Sequence, residues 1–256
     1  MRLDQDRRHP LHDALCAFLT DEAVALQLMS ALFATGSAEH VRTNHMRRPS
    51  HNDGGNQWPG EDHSGYDTRG VKFRGIRSPW SIDEESVSTT LEQPVYGERG
   101  RAKIIVGYLD AYVTACRTRS YSGCCSWRRE HSPHPIDGRY VYEYDDESVE
   151  GEWFQSDEVA CAVEVKAKIS SLGELIRQVQ KYRHEWSHDP DVERPAKWVV
   201  MSPGITPGIV DLLKGQDIIG IKPSPQFLAW ADTHGLALPL DARRLAGDQT
   251  QLELGA

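Results

Sequence analysis

The stretch that most constrains the fold runs from Val163 to Arg183 and reads VEVKAKISSLGELIRQVQKYR. An apolar strand pattern ends in Glu164-Val165-Lys166, and a helix pattern follows within a few residues. Ser170 or Ser171 is a suitable helix N-cap, and Glu174 stands three residues after Ser171 at the spacing of a capping box. A second apolar stretch, residues 104–110, also ends in an acid, Asp110. Two strands that end in carboxylates, one feeding directly into a helix, predict an α/β architecture.

The remaining periodicity places this stretch in a series of alternating elements. Apolar residues at three- and four-residue steps predict helix over Leu11–Phe33, with Thr20 or Asp21 as the cap of a second helix inside it. Strand and helix patterns then alternate, which predicts a mixed sheet with helices packed on it. The predicted strands are 87–96, 103–116, 159–165, 198–201 and 218–221, and the later helices are 171–186, 207–213 and 225–234.

Two segments do not fit this alternation. Residues 36–80 are rich in Gly, His, Asn, Arg and Pro and predict an irregular or disordered loop. Residues 116–156 are predicted to leave the core as an insertion with its own hairpin, formed by 139–144 and 152–155. With a weakly patterned tail at 241–256, the sequence predicts a single domain over residues 1–256.

Composition excludes some classes of protein. Apolar runs are far shorter than the roughly 20 residues of a membrane span, and no apolar segment follows the charged N-terminus, so we expect a cytoplasmic protein without a membrane partner. Five scattered cysteines do not form a disulfide framework. The net charge of −9 disfavours indiscriminate nucleic-acid binding. A basic stretch still stands out within residues 97–130: Arg99, Arg101, Lys103, Arg117, Arg119, Arg128 and Arg129.

The strand ends carry the groups that phosphodiester hydrolysis requires, namely an activated water and a means to neutralise developing negative charge. Mg²⁺ supplies both and prefers oxygen ligands. Asp110 and Glu164 are the candidate ligands, and the carbonyl of Val165 is a third. Lys166 stands two residues after Glu164, so both side chains are expected on the same face of the strand.

Three ordered motifs resemble a known family. Gly107-Tyr108-Leu109-Asp110, Glu164-Val165-Lys166 and Gln178 through Tyr182 match the GxxD, (D/E)xK and QxxxY signatures of RecB-like nucleases, in the PD-(D/E)XK superfamily. The resemblance covers residues 87–234. It implies a restriction-endonuclease-like core with a central mixed sheet of four to five strands flanked by helices. It also implies Mg²⁺- or Mn²⁺-dependent cleavage of DNA. Asp110, Glu164, Lys166, Gln178 and Tyr182 are the site residues it implies, and core packing is the alternative role for Tyr182.

Further site residues are weaker candidates. Many members of the family carry another acid on the first helix, and Glu22 is the candidate here, with Asp21 and Glu92 as rivals. A basic edge beside the site is predicted to follow the phosphate backbone, or else to be a solvated helix face; it comprises Lys168, Arg177, Lys181 and Arg183. Asp110 and Glu164 are 54 positions apart, which is longer than expected for this family. Residues 116–156 must therefore leave the core as an insertion.

Other metal centres are disfavoured by the spacing of the cysteines. Some RecB-like nucleases hold an iron–sulfur cluster with three cysteines downstream of the catalytic region, but no cysteine follows Cys161, so no such cluster is expected. A zinc site in the insertion lacks a paired C-x₂-C knuckle, and ordinary free or buried thiols are favoured. The candidate ligands of such a zinc site are Cys116, Cys124, Cys125, His131 and His134. Trp58 and Trp127 are candidates for stacking on unpaired bases.

The sequence therefore predicts a divalent-metal-dependent DNA nuclease, and a phage, plasmid or defence setting would suit a small orphan enzyme of this kind. Its expected partners are DNA and either a second copy of the chain or a larger nuclease assembly. Three alternatives remain open. One is a sequence-specific restriction-type endonuclease that reads DNA with residues 36–80 and 116–156. Another is a catalytically silent nucleic-acid-binding or scaffold module. The third is a phosphodiesterase that acts on RNA or on a small molecule.

Overall fold

The computed structural model describes residues 9–43, 72–99, 102–130, 134–136, 139–141, 144–186, 194–240 and 243–244. The chain divides into two compact units. The first consists of residues 1–32, 84–115 and 158–256, and the second of residues 33–83 and 116–157. The sequence predicts one domain with an irregular segment at 36–80 and an insertion at 116–156. These two segments have nearly the same bounds as the second unit.

The chain begins with two helices, α1 (Pro10–Leu19) and α2 (Glu22–Phe33). The second helix predicted inside Leu11–Phe33 is confirmed, and Asp21 is its cap. The Asp21 carboxylate accepts the N–H groups of Ala23 and Val24 at 3.0 and 3.3 Å, which satisfies donors that the helix start leaves unpaired. Neither helix alone has the length and apolar character of a membrane span, nor has any other described helix, but the pair, bent by 76°, passes that test together.

A mixed sheet follows, so the prediction of an α/β fold with helices around such a sheet is confirmed. Eight strands form it among the described residues, with β1, β2, β5, β8, β9 and β10 side by side and β3 and β4 also paired to β5. The described antiparallel pairs are β1 with β2, and β2, β3 and β4 each with β5. Strand β9 pairs in parallel with β8 on one side and with β10 on the other. These strands are β1 (Glu39–Thr43), β2 (Lys72–Arg77), β3 (Ser81–Ile82), β4 (Ser88–Arg99), β5 (Ala102–Glu130), β8 (Tyr144–Val165), β9 (Lys197–Met201) and β10 (Ile219–Ile221).

The predicted count of four to five strands is wrong, because both irregular segments contribute strands. Strand β5 continues to Glu130 instead of ending at Cys116, and β8 begins at Tyr144 rather than Val159. The predicted hairpin of 139–144 with 152–155 is also wrong, since β7 (Arg139–Val141) pairs with β6 (His134–Ile136) and residues 152–155 lie within β8. Arginines alternate with Ser and Thr over residues 117–120, and a reading based on apolar periodicity misses such a strand.

Residues 36–80 are predicted to be irregular, but the described parts at both ends of this segment form strands, β1 and β2, which pair antiparallel. Residues 44–71, with Trp58, lie outside the described residues, as do most of the predicted tail at 241–256 and His131. Trp127 lies in β5, but its side chain is outside the described part of the structure.

Three helices complete the first unit, and each lies within a few residues of its predicted bounds. They are α3 (Leu172–Trp186), α4 (Pro207–Lys214) and α5 (Phe227–Thr233). The hydroxyl of Ser171 accepts the Glu174 N–H at 3.4 Å, as expected for the cap of α3. Helix α3 buries an apolar stripe in the main core: Leu175, Val179, Tyr182 and Trp186. Burial of each side chain contributes about 1.5–3 kcal/mol, so this stripe holds α3 against the sheet.

Candidate active site on strands β5 and β8

Asp110 and Glu164 are buried carboxylates on neighbouring strands, with 5% and 2% of their surfaces exposed. Among the described residues only four polar or charged side chains are buried: His12, Asp110, Glu164 and Ser202. A carboxylate removed from water is costly unless it is hydrogen-bonded or paired with a cation. The partners of these two groups therefore define the site.

Glu164 receives two donors on the same oxygen. The Lys166 ammonium lies 2.8 Å from Oε1, and Nε2 of Gln178 donates to that oxygen at 2.7 Å. The first contact agrees with the expectation that Glu164 and Lys166 project from the same side of the chain. Gln178 is supplied by α3, so the helix that follows the strand returns to its end. The carboxylate is thereby fixed in orientation and its charge is offset by the ammonium group.

Tyr182 extends this network toward strand β5. Nε2 of Gln178 lies 3.2 Å from the Tyr182 hydroxyl, one helical turn away, so Gln178 donates to both Tyr182 and Glu164. Tyr182 is 5% exposed and also belongs to the core, so it has both of the roles considered for it. Its ring lies against the backbone of Gly107. A Cβ at Gly107 would come within 2.5 Å of the Tyr182 ring and hydroxyl. Close approach therefore explains the glycine of the GxxD motif.

Asp110 is held by two groups from other parts of the chain. Its Oδ2 accepts the N–H of Val165 at 2.8 Å, across 55 sequence positions. Its Oδ1 lies 3.2 Å from Nε2 of His12, which is 6% exposed on α1. The sequence predicts that a strand ends at Asp110, but β5 continues to Glu130, so Asp110 lies within the strand. The interior of β5, the end of β8 and the start of α1 therefore meet at one carboxylate. The predicted ligand Val165 takes part in this contact through its N–H group.

His12 was not predicted, and it carries positive charge into the site. Burial is the largest single influence and lowers the pKa of His12, but the hydrogen bonds and charges of Asp110 and Cys16 together outweigh it, and the pKa rises to about 11. The Cys16 sulfur lies 3.8 and 3.9 Å from the two ring nitrogens. Burial raises the pKa of this thiol, so it stays neutral and Asp110 is the main partner of the imidazolium. One sequence signal was available: His12 is three residues before Leu15 on an apolar stripe, where a polar residue requires a partner.

The rival acids occupy different positions. Glu22 is exposed in the first turn of α2. Asp21 caps that helix and also accepts the indole N–H of Trp230 at 2.9 Å, which is a structural role. Glu92 is exposed on β4. Its neighbours Leu91 and Gln93 pair with Ala111 and Leu109, which places Glu92 across from Asp110. Its φ of 51° is in the left-handed region, which is unusual for a residue other than glycine.

The predicted basic edge is partly engaged within the protein. The Lys181 ammonium donates to the carbonyl of Val106 at 3.1 Å, and Arg183 pairs with Asp217 at 2.6 Å. Lys168 and Arg177 are exposed beside the start of α3 and on its surface. Lys181 therefore ties α3 to β5, while Lys168 and Arg177 are exposed cations close in sequence to the site.

The donor set fits a hard divalent cation. Asp110 and Glu164 offer carboxylate oxygens, the type of ligand that such a cation prefers. Magnesium is commonly held by one or two carboxylates with waters and phosphate oxygens. Among the described residues, no group of three or more His, Cys, Asp and Glu side chains is arranged to hold a metal ion. A magnesium site can be built from one or two carboxylates with waters, so it does not require a group of that size. The described cysteines Cys16, Cys116, Cys124 and Cys161 form no disulfide bond.

Comparison of the chain with protein-family models, with curated proteins and with solved structures finds no significant match.

Proposed function

We propose that this chain is a divalent-metal-dependent nuclease that hydrolyses phosphodiester bonds in DNA. The observation that supports the proposal most directly is the convergence of Lys166 and Gln178 on the buried Glu164 carboxylate, with Asp110 on the adjacent strand. A lysine beside paired carboxylates is the combination expected where a water is activated and a developing negative charge is stabilised. Burial strengthens each of these interactions because the local dielectric constant is low.

Each residue has a separate task in the proposed reaction. Asp110, Glu164 and the carbonyl of Val165 would hold Mg²⁺ or Mn²⁺, which supplies Lewis-acid activation and neutralises phosphate charge when bound. Lys166 orients the attacking water and stabilises negative charge on the phosphate. Gln178 and Tyr182 act as positioning residues, because they hold the Glu164 carboxylate in one orientation. His12 holds Asp110 in the same way.

The test is cleavage of linear, circular and single-stranded DNA in the presence of Mg²⁺, Mn²⁺ or EDTA. Asp110→Asn retains an oxygen for the Val165 N–H but removes the charge, and Lys166→Met removes the ammonium. We expect each to lower the cleavage rate by about 100-fold or more, the scale of losing a preorganised electrostatic group. Lys214→Met, at an exposed lysine on α4, is the matched control and should cut at the wild-type rate.

The pattern of products separates the alternatives. Progressive shortening from ends indicates an exonuclease, while discrete fragments from a circular substrate indicate a restriction-type endonuclease. DNA that is bound but never cut, with either metal, would contradict the proposal and would favour a silent nucleic-acid-binding module. Cleavage that survives in both Asp110→Asn and Lys166→Met would place the chemistry elsewhere.

A further inference from the structure

The second unit carries an arginine cluster on strand β5. Arg117 and Arg119 are two residues apart, so their side chains project from the same face of the strand. Both guanidinium groups lie over the indole ring of Trp80, at 4.4 and 4.2 Å from its centroid. Arg77 lies on the neighbouring strand β2, where it pairs with Tyr121 of β5. Tyr121 is two residues after Arg119, so Arg77 belongs to the same face. Arg77, Arg117, Arg119 and Trp80 are called the arginine cluster below.

Arg119 is held in one orientation by its surroundings. Its Nε and Nη2 donate to Oε1 of Gln155 at 3.0 and 2.8 Å, and the Tyr121 hydroxyl donates to the same oxygen at 3.0 Å. The Tyr121 ring lies 5.2 Å from the guanidinium carbon. A guanidinium has five N–H donors, of which the described residues engage two. Little further conformational entropy would be lost if the other three met a ligand.

The charge of the cluster favours an anion. Arg77 and Arg117 pair with Glu39 and Asp157, whose side chains are about half exposed, whereas Arg119 bonds to a neutral amide. Burial lowers the pKa of Arg119, and the nearby charges of Arg77 and Arg117 lower it further, against an opposing contribution from Tyr121. A bound anion would relieve this repulsion. Exposed carboxylates are weak competitors for the two paired arginines.

We propose that the arginine cluster binds the phosphate backbone of a nucleic acid. The planar fork of Arg119 matches two oxygens of one phosphate, and guanidinium groups in series along one strand suit an extended polyanion. Aromatic rings interleaved with arginines are also a feature of nucleic-acid surfaces. The inference deepens the proposed function by assigning a contact for its nucleic-acid ligand, and it rests on that ligand class rather than on cleavage.

The experiment is fluorescence anisotropy with labelled single- and double-stranded 30-mer DNA in EDTA, at NaCl concentrations from 50 to 200 mM. Arg119→Met keeps an apolar stem against Trp80 and removes the charged fork. One lost phosphate contact should reduce the slope of log affinity against log salt by about 0.7–0.9 and weaken binding about 3- to 10-fold at low salt. Arg119→Lys should give a smaller change in slope, because it keeps the charge. Arg243→Met, at a partly exposed arginine of the first unit that pairs with Asp232, should match the wild type.

Circular dichroism first establishes that each variant is folded. An Arg119→Met protein with wild-type affinity and salt slope would overturn the inference, as would a wild type that binds no DNA, or one that binds polyglutamate equally well. The nuclease proposal is tested separately by the cleavage assay with Lys166→Met, whose cutting rate should fall by about 100-fold or more. A wild type that binds DNA through Arg119 but never cuts would refute the nuclease and leave this inference standing.

Discussion

Replacement of Gly107 by alanine should disturb the active site through Tyr182. The added Cβ would lie 2.5 Å from the Tyr182 ring and hydroxyl, whereas ordinary contacts are about 3.5–4.0 Å. The tyrosine must therefore move by about 1 Å, and it is only 5% exposed, so the surrounding core must also shift. Overpacking of this kind costs about 1–3 kcal/mol of folding free energy. The same movement takes the Tyr182 hydroxyl, now 3.2 Å from Gln178, beyond hydrogen-bond distance.

Two assays measure the loss of stability and the loss of activity in Gly107→Ala. Urea denaturation should show a loss of about 2–4 kcal/mol, which combines overpacking with a lost hydrogen bond of about 1 kcal/mol. In an active enzyme kcat should fall by about tenfold with little change in KM, since Glu164 loses orientation rather than substrate binding. Gly208→Ala on α4 is the control, because nothing lies within 4 Å of a Cβ there. It should be neutral or slightly stabilising.

A double variant distinguishes the proposed route from general damage. If Gly107 acts through Tyr182, Gly107→Ala should add little to the effect of Tyr182→Leu, because the clashing ring is already absent. Fully additive losses of stability in Gly107→Ala/Tyr182→Leu would refute the reasoning. So would a Gly107→Ala protein as stable as Gly208→Ala. The stability comparison needs no catalytic activity and stands apart from the nuclease proposal.

Three further predictions concern single residues. Glu92→Gly should raise the free energy of unfolding by about 1 kcal/mol, because glycine tolerates the left-handed φ, and urea denaturation beside Asp217→Gly, at a second described residue with a left-handed φ, checks it. Burial raises the pKa of the Cys161 thiol to about 12, while an unfolded thiol ionises near 8.5. Above about pH 9 this thiol therefore binds fewer protons in the unfolded state than in the folded state, so the free energy of unfolding should fall by up to about 1.4 kcal/mol per pH unit. An identical decline in Cys161→Ala would contradict this explanation. Asp21→Ala should cost about 1–3 kcal/mol in thermal or urea unfolding, since it removes the cap of α2 and leaves the Trp230 indole N–H without its acceptor.

The sequence by itself determined the local parts of the site. The two-residue period of a strand places Glu164 and Lys166 on one side, and the four-residue spacing on a helix places Gln178 beside Tyr182. Both contacts are present in the structure. A cap at Thr20 or Asp21 and the approximate bounds of α3 also follow from local patterns, and the structure selects Asp21. These features depend on backbone geometry over a few residues, which the order of residue types already specifies.

Only the tertiary structure decided which distant residues share the site. His12 meets Asp110 across 98 positions, and Asp110 meets Val165 across 55, contacts that no local period specifies. The approach of Tyr182 to Gly107 likewise depends on how closely α3 packs on the sheet. The continuation of β5 through alternating arginines and small polar residues was also decided there, because pairing with other strands stabilises a segment that lacks an apolar face.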